Sequence, residues 1–143
     1  MLEPRPMERN EDKRVRDIFA LCHPLWLPRA PDWYLAYPTL VIGDHEAVGF
    51  TSCSISPSAT GLLTLYGNDL CVLPTQRRRG LGWRLAEARL ALGRAVGATT
   101  FLGITEDANA VMIRIFERQG LHPCQRLRGY FPTGDGTVWA GSL

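Results

Sequence analysis

Between Leu70 and Gly93 the sequence reads LCVLPTQRRRGLGWRLAEARLALG: an apolar run, a proline, three consecutive arginines, a Gly-x-Gly, and then apolar residues at helical spacing. An apolar run closed by a proline reads as a strand that stops there. Leu81, Leu85, Ala88, Leu92 and Val96 recur at steps of four and three, which predicts an amphipathic helix over Gly80–Val96. A strand passed through a glycine turn directly into such a helix calls for a sheet with helices packed on it. The turn also constrains chemistry. Backbone N–H groups at a helix start have no intrahelical acceptor, and the helix end carries partial positive charge. With small glycines allowing close approach and Arg77, Arg78 and Arg79 beside them, the stretch predicts a phosphate or pyrophosphate site. The two commoner versions are excluded: no Lys-Ser/Thr follows as in a P-loop, and the second glycine is not followed by x-x-Gly as in a dinucleotide fold.

Elsewhere the pattern is that of a mixed α/β chain. Leu2–Met7 reads as a short edge strand, since Pro4 and Pro6 forbid a central one. Asn10–Cys22 carries Val15, Ile18, Phe19 and Cys22 at helical spacing, and the proline-rich His23–Asp32 that follows reads as a loop. Trp33–Tyr37 is a short helical or irregular piece. Thr39–Ile42 and Glu46–Ile55 read as strands joined by the turn Gly43-Asp44-His45, and Gly61–Leu73 as a long strand after the turn Ser56–Gly61. Thr99–Ile104 is almost wholly apolar, as in a strand covered on both faces. Asp107–Gln119 is a second helix ended by Gly120; Leu121–Tyr130 and Thr137–Ala140 are strands flanking the turn Thr133-Gly134-Asp135-Gly136.

Composition narrows the function. With 143 residues the chain is the size of one domain. A net charge of +2 is too small to argue for nucleic acid, although Lys13 is the only lysine among the basic residues. Cys22, Cys53, Cys71 and Cys124 form no C-x-x-C pair, and His23, His45 and His122 are scattered, so no metal site is expected. Cys71 reads as a core filler. No apolar run approaches the roughly 18 residues of a membrane span. The N-terminal MLEPRPMERNEDKR has no apolar signal core, so the expected location is cytoplasmic, with the thiols reduced.

The chain resembles the GNAT superfamily of acyl-CoA-dependent N-acyltransferases. The family signature Arg/Gln-x-x-Gly-x-Gly/Ala is matched by Arg77, Gly80 and Gly82, and its Asp-Leu-x-Val-x-Pro strand by Asp69-Leu70-Cys71-Val72-Leu73-Pro74. Asn109, Phe116, Gly120 and Leu121 approach the family's next helix motif. The resemblance implies a GNAT fold: one α/β (α+β) domain over residues 1–143, with a mixed, mostly antiparallel sheet of six to seven strands and helices on both faces. It further implies that strands 61–73 and 99–104 splay apart. Leu70, Cys71 and Val72 would then offer a free strand edge to the amides of pantetheine. A backbone N–H near Leu70 would face the thioester carbonyl. Arg77, Arg78, Arg79, Gly80, Leu81, Gly82 and Trp83 would hold the pyrophosphate, and Asn109 and Phe116 would line the pantetheine arm.

Proton handling departs from the family. Phe116 stands where many members have the tyrosine that protonates the departing sulfur, and Asn68 and Tyr66 stand where different members have a carboxylate. Tyr66, Asn68 and Leu70 alternate onto one face of their strand, so Tyr66 and Asn68 are candidates for positioning water or amine. Asp69, the nearby carboxylate, falls on the opposite face and reads equally as catalytic or structural. The resemblance therefore implies acetyl transfer from acetyl-CoA to a primary amine of a small molecule or protein, by direct attack in a ternary complex. The alternative is a catalytically weak CoA-binding sensor or partner module. A homodimer is compatible with either.

Overall fold

The computed structural model describes residues 2–143. Seven strands and three α-helices alternate along them: β1 (Arg5–Pro6), α1 (Asp12–Cys22), β2 (Thr39–Ile42), β3 (Gly49–Pro57), β4 (Leu63–Val72), α2 (Leu81–Ala95), β5 (Ala98–Glu106), α3 (Ala110–Arg118), β6 (His122–Phe131) and β7 (Gly134–Ser142). The strands follow the order β1-β2-β3-β4-β5-β7-β6. The pairs β1/β2, β2/β3, β5/β7 and β6/β7 are antiparallel, whereas β4 and β5 run parallel. The α/β class and the mostly antiparallel sheet of the sequence reading both hold. Two compact units divide the chain, one comprising residues up to Ser54 together with Asn68–Arg89, the other Ile55–Gly67 with Leu90–Leu143.

The first unit has a helix against each face of its strands. Neighbouring residues on a strand point to opposite sides. Val41 accordingly packs with Val15, Ile18 and Phe19 of α1, while Ile42 packs with Leu81 and Leu85 of α2. Cys71 and Val72 on β4 divide in the same way. The entry to α1 is fixed by Glu11, which accepts both guanidinium nitrogens of Arg5 at 2.7 and 2.8 Å and the Glu8 N–H at 2.9 Å. Asp12, buried in the first turn, accepts the backbone N–H groups of Asp32 and Tyr34 and so ties the proline-rich loop to the helix.

In the second unit β5 lies between the first half of β4 and β7. The β4/β5 ladder runs from Leu63↔Ala98 to Gly67↔Gly103, and among the described residues it pairs nothing beyond, although β4 continues to Val72 and β5 to Glu106. Phe116 of α3 meets Phe101 of β5 and Trp139 of β7, with ring centroids 5.9 and 5.7 Å apart.

Several boundaries differ from the sequence reading. β1 shrinks to two residues. β3 begins at Gly49 rather than Glu46, because Ala47 is drawn fully into the α1 core and its carbonyl accepts Arg14 Nε at 2.8 Å. The connection is therefore longer than the expected three-residue turn, and it folds back over Gly43, where a Cβ would lie 2.1 Å from the Glu46 carbonyl oxygen. β7 starts at Gly134 rather than Thr137, so the expected Thr133–Gly136 turn is replaced by a Pro132-Thr133 connection. Gly136 belongs in the ladder because the Phe131 ring lies against it, 2.6 Å from where a Cβ would be. α3 begins three residues later than expected, at Ala110.

Candidate functional site

The turn after β4 takes the strand-to-helix form the sequence predicts. Pro74–Gln76 make a single 3-10 turn, Arg77 is extended, and the first bond of α2 runs from the Arg84 N–H to the Gly80 carbonyl at 3.1 Å. Arg78 and Gly80 both have left-handed backbone, with φ of 64° and 74°. Left-handed residues in a turn are one element from which backbone concavities suited to an anion are built. A non-glycine residue held at positive φ costs about 1–2 kcal/mol, so Arg78 stores strain in the turn. Arg77 to Gly80 are exposed, while the buried Leu81 fastens the helix start to Ile42, Val72 and Leu85. A Cβ added at Gly80 would meet nothing within 4 Å, so the space in front of this glycine is open.

The three arginines are not equivalent. Arg77 turns back to its own strand, donating from Nε to the Val72 carbonyl at 3.1 Å and approaching Cys22 Sγ at 3.7 Å. Arg79 donates to Gln76 Oε1. Arg77 thus shapes the loop.

Along β4 burial alternates. Leu65, Asp69 and Cys71 are buried; Tyr66 and Asn68 are exposed and Leu70 is partly covered. Tyr66 is held in the β4/β5 ladder opposite Leu102, and Asn68 donates its amide to Ser54 Oγ at 2.7 Å. Asp69 has a different setting. It is 6% exposed, accepts the Tyr34 hydroxyl at 2.8 Å and pairs with Arg29 at 3.0 Å, while its own carbonyl accepts Thr51 Oγ1 at 2.9 Å. Arg89 donates to the same Thr51 hydroxyl at 3.3 Å, and complete burial pushes its guanidinium down to about 10. Burial, reinforced by the adjacent Asp69 charge, pushes the Tyr34 phenol well above its ordinary range, so it stays protonated and donates. Burial opposes the charge on Arg29, but Asp69 more than offsets it and the guanidinium rises. That guanidinium also lies 4.6 Å from the Phe19 ring centroid and 5.0 Å from that of Trp33. Both Asp69 oxygens are therefore engaged in a network built on Arg29 and Tyr34, which the sequence reading did not include. Neither residue carries a signal toward Asp69, since they sit 40 and 35 positions from it in an aperiodic segment.

In the second unit Asn109 caps α3, its side-chain oxygen accepting the Met112 N–H at 3.1 Å. The helix starts this late because Asp107 is engaged elsewhere, accepting the Thr137 hydroxyl at 2.6 Å and pairing with Arg126. Phe116 is 2% exposed, and its ring tip lies 3.1 Å from where a Cβ on Gly103 would stand. A phenolic oxygen at that tip has to displace well-packed neighbours. Phe116→Tyr is accordingly expected to cost about 1–3 kcal/mol through overpacking, read as a lower denaturant midpoint; an unchanged midpoint would mean the ring tip has room.

Among the described residues no group of three or more His, Cys, Asp or Glu is placed to hold a metal, and no helix is long and apolar enough to cross a membrane. A family model described as the acetyltransferase (GNAT) family matches residues 7–121. A search of curated protein sequences finds no significant match. Solved structures similar to this chain include the NatC complex bound to Gag peptide and CoA, at 20% identity and TM-score 0.87, covering 99% of this chain and 98% of that one. Arabidopsis thaliana NAA60 in complex with acetyl-CoA is 15% identical with TM-score 0.85 over all of both chains. The ribosomal-protein-S18-alanine N-acetyltransferase from Escherichia coli is 18% identical with TM-score 0.84, covering 100% of this chain and 94% of that one.

Proposed function

The chain belongs to the GNAT family of acetyltransferases, and from that premise we propose that it moves the acetyl group of acetyl-CoA to a primary amine by direct attack in a ternary complex. The observation that carries this reading is the Arg78/Gly80 turn, with two left-handed residues before α2 and open space in front of Gly80. A diphosphate fits that place on charge, on backbone N–H supply and on access. Leu70, Cys71 and Val72 lie beyond the last β4/β5 pair, which supports their use as a strand edge for the pantetheine amides. Two similar structures are complexes with CoA or acetyl-CoA, in keeping with the same co-substrate.

In the reaction the amine nitrogen, as free base, attacks the thioester carbonyl. The carbon–sulfur bond breaks, the nitrogen loses a proton and the thiolate leaves or is protonated. An N–H near Leu70 would stabilise the oxyanion. Tyr66 and Asn68, exposed on β4, are the side chains proposed to position the amine or a water that takes its proton. Asp69 acts behind them by holding Arg29 and Tyr34, so its proposed role is support of the strand. General acid–base assistance is typically worth about a hundred- to ten-thousandfold, so transfer proceeds without the tyrosine that Phe116 replaces, more slowly.

The buried, hydroxyl-free Phe116 gives the second reading its footing: a CoA-binding module without transfer. Incubation with acetyl-CoA and a panel of primary amines, including peptide N-termini, is expected to release free CoA thiol with one or more acceptors. Binding without release on any amine would favour the module, and absence of acetyl-CoA binding would remove both.

A further inference from the structure

Two of the four cysteines lie in one core cluster at the base of the arginine loop. Cys22 closes α1, half-buried, with its Sγ 3.4 Å from the Val72 carbonyl oxygen. Cys71, the residue before Val72 on β4, is 3% exposed within the α1 core, against which Cys22 packs. Cys22 packs against the cluster that holds Cys71, and the Arg77 guanidinium stands 3.7 Å from Cys22 Sγ. The neighbouring Cys71 thiol, opposed by burial and helped by Arg77, brings the Cys22 thiol down to about 7, whereas Cys22 and burial push the Cys71 thiol up. One sulfur is reachable and anion-stabilised; the other is protonated behind it. That asymmetry separates an attacking cysteine from a resolving one. Cys53 is 1% exposed, and Cys124 is exposed on β6 with its Sγ 3.3 Å from the His122 carbonyl oxygen.

We propose that Cys22 and Cys71 are a redox-active dithiol that hydrogen peroxide converts into an intramolecular disulfide at the foot of the arginine loop. The Cys22 thiolate attacks the peroxide, the O–O bond breaks, and a Cys22 sulfenic acid forms with release of water. The Cys71 sulfur then displaces the sulfenic oxygen as a second water, giving the S–S bond. Two thiols and one peroxide yield one disulfide and two waters, and a thiol reductant reverses the change. Closure rotates both side chains to bring the sulfurs to about 2.05 Å, and it removes the Cys22 thiolate from Arg77. The chemistry needs no acyl donor and is independent of the acetyl-transfer reading.

The test is hydrogen peroxide treatment of the reduced full-length protein, followed by thiol titration after denaturation and by peptide mapping. The expected result is loss of two of the four thiols per chain, with the Cys22 and Cys71 peptides joined within one chain and freed by dithiothreitol. Cys71→Ala is expected to leave Cys22 trapped as a sulfenic acid that dimedone labels; Cys22→Ser is expected to protect Cys71. The wild-type map stands on its own should Cys71→Ala fold poorly. The proposal is overturned if Cys124 oxidises while Cys22 and Cys71 remain as thiols, if the link joins different chains, or if Cys22 accumulates as sulfenic or sulfinic acid with Cys71 intact.

Discussion

A Gly80→Val protein is expected to bind acetyl-CoA about a hundredfold more weakly than the parent, a loss of roughly 2.7 kcal/mol, while keeping its fold. Gly80 sits at φ 74°, a region that a β-branched residue enters only under strain. The protein can keep the turn and its strain, or flip it and disperse the N–H groups proposed to hold the diphosphate. The new side chain also occupies the open space in front of the loop, where no protein atom lies within 4 Å of a Cβ. Strain alone, at about 1–2 kcal/mol, lowers Tm by only a few degrees, so calorimetric melting and titration calorimetry separate a binding defect from a folding one. Equal affinities for variant and parent would remove the diphosphate from this turn. Arg77 makes a poorer probe, since its bonds to Val72 and Cys22 mean that truncation also loosens the loop.

The second large effect concerns stability. Replacing Asp69 by alanine deprives Arg29 and Tyr34 of their shared acceptor and leaves a half-buried guanidinium and a buried phenol without it. Breaking one partner from such a set costs about 3 kcal/mol, which at 2–4 °C per kcal/mol corresponds to a Tm lower by about 6–12 °C. Asp69→Asn keeps an oxygen for Tyr34 and is expected to fall between parent and alanine variant. Acetyl transfer measured well below both melting temperatures is expected to survive the asparagine change. Abolition of turnover in a folded Asp69→Asn protein would make this carboxylate the base instead, and an alanine variant melting with the parent would show that the buried network contributes little.

The features legible in the sequence are those governed by local rules. The strand–turn–helix unit at residues 70–93 depends on glycine at positive φ, unpaired N–H groups and a helical period, all readable from neighbouring residues. Strand parity likewise separated Asp69 from Tyr66, Asn68 and Leu70, and burial along β4 follows it. What escaped depends on partners far along the chain. Nothing near residue 47 announces that Ala47 belongs to the core beneath α1, so β3 was expected to start too early. Nothing in Arg29 or Tyr34 points to Asp69, and C-x-x-C spacing cannot reveal a thiol pair assembled from the end of a helix and the end of a strand. Asn109 shows a different ambiguity: a residue matched through a ligand motif is also a helix cap, and one sequence position satisfies both descriptions.

The outermost strand has a bearing on how copies of this chain meet. β6 is mostly exposed at the end of the strand order, yet its pairing with β7 slips between Pro123 and Gln125 and again between Leu127 and Phe131. A proline donates no ladder bond, the two slips kink the ribbon, and Arg126 is held by Asp107 and Asp135. Such an edge is a poor template for a foreign strand, which could add to it over only a few residues before losing register. The irregularity disfavours strand addition at this edge of the sheet.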